Sequence, residues 1–142
     1  MPDDYFIILL ALEILSHFAP AVKIIFPPYN IVGIIIIISG ILLTFWTNYN
    51  LLKKKTATKP YEIPSYFISS GPFRLSRNPL YLGMAAILIG AAVFLGSLTP
   101  FIFPIVFMII IEKHFVLWEE EKLEKKFGSE YADYKKRVRR WI

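Results

Sequence analysis

The sequence predicts an all-α, polytopic membrane protein, and three observations carry that expectation. Of 142 residues, 56% are hydrophobic and 19% charged, against about 45–50% and about 25% in soluble domains. Four apolar stretches are each long enough to approach the roughly 20 helical residues that a bilayer core of about 30 Å requires. The net charge of +5 is carried mainly by two blocks outside those stretches. The expected architecture is four transmembrane helices and a cytoplasmic C-terminal amphipathic helix, forming one domain over 1–142. The low charge excludes disorder. With no cysteine, a disulfide scaffold, a thiolate metal site and a cysteine nucleophile are excluded. No metal site and no nucleic-acid partner are expected.

The first span is expected at about 5–26, interrupted by Glu13, His17 and Lys23. The second, about 31–52, is uncharged and holds Ile34 to Ile38 in a row, a run too deeply embedded in apolar sequence to be a short buried strand. The third, about 79–98, is rich in small residues (Gly83, Ala85, Ala86, Gly90, Ala91, Ala92), which suits close helix packing in lipid. The fourth, about 100–118, carries Glu112, Lys113 and His114 late, so its end projects toward the headgroups.

Pro27-Pro28-Tyr29-Asn30 is a tight turn between the first two spans. Thr99 is expected to cap the fourth, with Pro100 at its first position. Between spans two and three lies a polar segment, 53–78, with six cations opposed by Glu62 alone. The second basic block is the tail, 119–142. Alternating spans put both blocks on one side, so both termini are placed in the cytoplasm. The acidic N-terminus and long first stretch argue against a cleavable signal.

The tail should continue the fourth helix to about Lys126 and break at Gly128. Ser129 would then cap a short helix with Tyr131, Tyr134 and Val138 on one stripe, flanked by Lys135, Lys136, Arg137, Arg139 and Arg140. Such a segment is expected to lie at the membrane surface, rings among the headgroups and cations against phosphates.

Two motifs go beyond what crossing a membrane requires. In 71–83, Asn78-Pro79 is a strong helix start, and Arg74, Arg77 and Tyr81 lie beside its free amides, a ready place for a carboxylate or phosphate. A helix cap with topological anchors would account for the same residues. In the second motif, Glu119, Glu120 and Glu121 follow Trp118, and Leu123, Phe127, Gly128, Tyr131 and Tyr134 come after. Three adjacent carboxylates at the lipid border are costly unless solvated or paired; two of them facing a cationic ligand would be a site.

Together these segments resemble the two signatures of the isoprenylcysteine carboxyl methyltransferase and phospholipid methyltransferase superfamily, integral membrane enzymes that use S-adenosylmethionine. Gly71-Pro72-Phe73 and Arg77-Asn78-Pro79-Leu80-Tyr81 match the first, with Asn78 where many members have histidine. Glu119-Glu120, Leu123, Phe127-Gly128, Tyr131, Tyr134 and Arg140-Trp141 match the second, with Arg139 where relatives often have proline.

The resemblance implies a cofactor site of Gly71, Arg77, Asn78, Pro79, Tyr81, Glu119, Glu120 and Tyr131, releasing S-adenosylhomocysteine. Arg77 and the helix start suit the cofactor's carboxylate, Glu119 or Glu120 its ammonium or ribose hydroxyls, and the two tyrosines its adenine or sulfonium. Arg140 would orient an anionic acceptor and Glu120 would take a proton where one is released. The acceptor would be lipophilic or lipid-linked, a prenylcysteine-type carboxylate or a lipid headgroup, reaching the site from the membrane; membrane lipids are the other expected partners. His114 is a further candidate base.

Glu13 and His17, four apart on one helix face, are either a functional pair in lipid or a mutually satisfied one. They support the alternative of a small transporter with a proton relay. A non-catalytic scaffold is the other alternative.

Overall fold

The computed structural model describes residues 1–18, 22–54 and 67–142. Among the described residues the regular structure is helical, apart from one isolated antiparallel bridge between Lys23 and Ser97. The helices are α1 (Pro2–Ser16), α2 (Val32–Lys53), α3 (Pro79–Leu95), α4 (Ile102–Ile111) and α5 (Leu117–Arg137). A π-helical turn, Glu112–Val116, joins α4 to α5 without interruption. Two helices are long and apolar enough to cross a membrane, Tyr29–Lys53 and Thr99–Arg137, and the apolar α3 is shorter at 17 residues.

The first apolar stretch does not form one helix. With 15 residues α1 is about 22 Å long, and from Val22 the chain runs extended along 96–98. The Gly96 carbonyl accepts from the amides of Ile24 and Ile25 at 2.8 and 3.0 Å, and Leu98 N–H donates to Val22 O at 3.0 Å. Gly96, which ends α3 in the left-handed region at φ 71°, leaves room for this segment. A side chain there would collide with the Ile25 carbonyl. The expected Thr99 cap is also not made. Thr99 begins a 3₁₀ turn after Leu98 and gives the helix no side-chain hydrogen bond.

α3 is central. One face meets α2 in antiparallel register through facing glycines, Gly33 with Gly90 and Gly40 with Gly83. The backbones approach so closely that a methyl on Gly90 would come within 2.7 Å of the Gly33 carbonyl. Small residues therefore serve the close packing expected of them. The other face, Tyr81, Met84, Ala85 and Leu88, packs with Leu9 of α1 and with Phe107, Ile111, Phe115 and Val116. Outward faces are apolar: Ile34, Ile35, Ile38, Leu42 and Phe45 of α2 are all exposed, a surface suited to lipid.

Glu13 lies on the inner face of α1 one turn beyond Leu9, fully buried, and His17 is exposed. Neither Glu13 carboxylate oxygen has a hydrogen-bond partner among the described residues. Of the two readings of Glu13 and His17, the mutually satisfied pair is therefore not formed.

Candidate active site

The two sequence motifs meet where α3 begins and α5 follows the π turn. Gly71, in the left-handed region at φ 64°, opens a 3₁₀ turn, Gly71–Arg74, packed beside Asn50 at the end of α2. Ser76, Arg77 and Asn78 then lead into Pro79, the first residue of α3. Helix α5 brings Glu119 and Glu120 alongside, breaks at Gly128 (φ 48°, ψ −118°) and turns 129–137 back toward this segment. The strained backbone there suits glycine alone, so the break expected at Gly128 is where the chain reverses.

The returning tail does not lay its rings on the membrane surface. Tyr131 and Tyr134 are buried, with Phe67 at 5.7 and 5.0 Å between ring centroids. The Tyr134 hydroxyl donates to the Phe73 carbonyl at 2.6 Å. The stripe found its apolar partner in the protein rather than in lipid. Burial pushes the Tyr131 hydroxyl up to about 12 and raises that of Tyr134 as well, so both phenols stay neutral.

Beyond α5 the backbone of 139–140 closes over the start of α3. Arg77 N–H donates to Arg139 O at 3.0 Å, while Ser76 Oγ and Asn78 Nδ2 both donate to Arg140 O, at 2.8 and 3.2 Å. Asn78 holds the capping position, but its side chain makes no cap hydrogen bond. Its amide is spent on the tail instead.

This seating delivers the Arg140 guanidinium to two carboxylates. Nε and Nη2 donate to the two oxygens of Glu120 at 3.2 and 2.9 Å, and Nη1 donates to Glu112 at 2.6 Å. The fork geometry makes this a strong, charge-assisted pairing, and it holds Arg140 protonated above the usual arginine range, the Glu120 bonds foremost. Arg77 pairs with Glu120 from the other side, Nη1 to Oε1 at 3.2 Å, with both side chains 12% exposed. Arg77 Nε is buried without a hydrogen-bond partner among the described residues.

Glu119 has different surroundings. Its Oε1 accepts from the Tyr81 hydroxyl at 2.8 Å, and no cation pairs with it among the described residues. Burial raises its carboxyl to about 7, the Tyr81 bond pulls it down and the Glu120 charge adds to the rise. A carboxyl placed so is half ionised near neutrality and can take or give a proton.

Of the residues singled out from sequence, Arg77, Asn78, Pro79, Tyr81, Glu119, Glu120, Tyr131 and Arg140 converge here, whereas Gly71 packs against α2. Glu121 and Arg74 are exposed. His114 points away from the cluster, exposed, with Nδ1 3.1 Å from its own helix at Ile110 O. Three contributors went unassigned. Glu112 read as an interfacial charge, although its spacing of seven and eight from Glu119 and Glu120 would have put them on one helix face. Ser76 and Phe67 carry no local signal. The basic residues Lys55 and Lys59, and Glu62, lie outside the described residues.

The residues fit the cofactor that the resemblance implies: an unsatisfied buried guanidinium nitrogen for a carboxylate, and two carboxylates for cationic or hydroxyl groups. An uncharacterized protein of Haemophilus influenzae is 38% identical over 63 residues, which are 44% of this chain and all of that protein. The phospholipid methyltransferase family matches residues 29–130, a stretch that contains Arg77, Tyr81, Glu112, Glu119 and Glu120 and stops short of Tyr131 and Arg140. Since that match covers most of the chain and both helices that meet at the carboxylates, the chain belongs to the phospholipid methyltransferase family, a family of membrane methyltransferases.

Proposed function

We propose that this protein is a four-span membrane methyltransferase that moves a methyl group from S-adenosylmethionine to a lipophilic or lipid-linked acceptor, with both termini and the site on the cytoplasmic side. The observation that supports it most is the junction of the two motifs: Arg77 and Arg140 on Glu120, and Tyr81 on Glu119. The four spans of this reading are that at about 5–26, of which α1 is the described helix, then α2, α3, and the rod of α4 with its π turn. The tail helix lies at the cytoplasmic surface with Lys136, Arg137 and Arg139 outward.

S-adenosylmethionine supplies an electrophilic methyl on a sulfonium. Arg77 would hold its carboxylate through the unsatisfied Nε. Glu119 or Glu120 would face its ammonium or ribose hydroxyls. The rings of Tyr81 and Tyr131 would line the region of the sulfonium, a cation that aromatic faces attract. Gly71, Asn78 and Pro79 shape the backbone that carries Arg77. The protein's main work is then alignment of acceptor and methyl in line, with water excluded. Prenylcysteine-type carboxylates and lipid headgroups are the acceptor classes to test.

Calorimetry on the detergent-purified protein tests the reading. Micromolar binding of S-adenosylmethionine and S-adenosylhomocysteine is expected, and loss of both in Arg77→Ala/Glu120→Ala with retained helicity. A wild-type protein that binds neither is a scaffold and not an enzyme.

A further inference from the structure

Glu119 and Glu120 are neighbours in sequence with opposite surroundings. Glu120 has both oxygens held by the Arg140 fork and a second guanidinium, that of Arg77, at 3.2 Å. A carboxylate engaged this way serves to position the two guanidinium groups. Glu119 accepts one bond from a neutral phenol. Among the described residues, the ionisable groups that act on its carboxyl are Tyr81 from α3 and Glu120 on its own helix. Arg77, Arg140 and Glu112 meet Glu120 or one another rather than Glu119.

We propose that Glu119, positioned by Tyr81, is the group that takes the proton from an acceptor that must shed one, an amine or a hydroxyl, while Glu120 holds Arg77 and Arg140 in place. The proposal rests on the methyltransferase reading above. The acceptor's lone pair forms the new bond to the methyl carbon, the methyl–sulfur bond breaks with its electrons left on sulfur, and the N–H or O–H proton passes to the Glu119 carboxylate and then to water. A carboxylate acceptor, already ionised, would have no use for this arrangement. The elevated Glu119 carboxyl agrees with the role, because it makes the group a stronger base than an ordinary glutamate.

Two measurements test this, one without turnover. Infrared difference titration of the ligand-free protein should show a protonated-carboxyl band that disappears as pH rises through about 7. The component that titrates there should be lost in Glu119→Gln and move to higher pH in Tyr81→Phe; a component that survives Glu119→Gln unchanged overturns the assignment. The second is transfer of labelled methyl from S-adenosylmethionine to phosphatidylethanolamine vesicles, with N-acetyl-S-farnesylcysteine as a carboxylate comparison. Transfer to the amine at saturating cofactor should rise with pH through the same range and fall roughly 10²–10⁴-fold in Glu119→Gln. Methylation of the carboxylate compound in preference, at an equal rate in Glu119→Gln, overturns the proposal. Absent cofactor binding by the wild type overturns the methyltransferase reading instead, so the two failures are distinguishable.

Discussion

Tyr134 and Phe73 are 61 residues apart in sequence, and the hydroxyl of one donates to the backbone carbonyl of the other at 2.6 Å. That bond fastens the returned tail to the turn that leads into α3. Tyr134→Phe keeps the ring against Phe67 and removes only the bond, leaving a half-buried carbonyl unpaired. A stability loss of about 1–2 kcal/mol is expected, read as a lower thermal midpoint in detergent. An unchanged midpoint would mean that ring packing alone holds the tail.

Asn78 donates to the Arg140 carbonyl through Nδ2. Asn78→Asp replaces that donor by an acceptor, so two oxygens face each other. The tail beyond 137 should detach at a cost of about 1–3 kcal/mol. Limited proteolysis would then cut the variant within 129–142 faster than the parent; equal rates would show that Ser76 and the Arg77 amide suffice.

Glu119 makes stability depend on pH. Its carboxyl lies at about 7 in the fold against an ordinary 4.5, so stability is full below about 4.5, falls as pH rises to about 7 and is level beyond. The penalty at pH 8 is about 3 kcal/mol. Glu119→Gln removes it: the variant's thermal midpoint should exceed the parent's at pH 8 and match it near pH 4.5. A gain independent of pH would assign the effect to something other than this carboxyl.

The α2–α3 contact should be intolerant of a single methyl. Gly90→Ala would place its Cβ 2.7 Å from both the Gly33 carbonyl and the Ile37 amide, which only separation of the helices can relieve. A cost of about 1–3 kcal/mol follows. A thermal scan that finds the variant as stable as the parent would show that the helices slide apart freely.

The apolar helices α2 and α3 were legible because apolar length is a local property: both begin within a residue of the expected starts. The first stretch misled because apolar composition cannot show that 22–25 prefers hydrogen bonds to 96–98 over continuing a helix. The tyrosine period was read correctly as a face, but its partner, Phe67, lies more than sixty residues away and leaves no mark near Tyr131. Much of the site was named from motifs, although Asn78 and Arg140 serve the tail and its carboxylates in ways spacing does not reveal. Glu112 joins the cluster because Arg140 returns to it, a pairing made in three dimensions.

The π turn at Glu112–Val116 works as a gear tooth between α4 and the acidic pair. It holds one more residue than an α-helical turn would, and every side chain downstream is indexed by that extra step. Deleting one residue there would leave both motifs letter-perfect yet rotate Glu119 and Glu120 by about 100° around the axis. Tyr81 and Arg140 would then face the wrong side of the rod. The spacing between Glu112 and Glu119 is therefore as much a part of the site as the residues themselves.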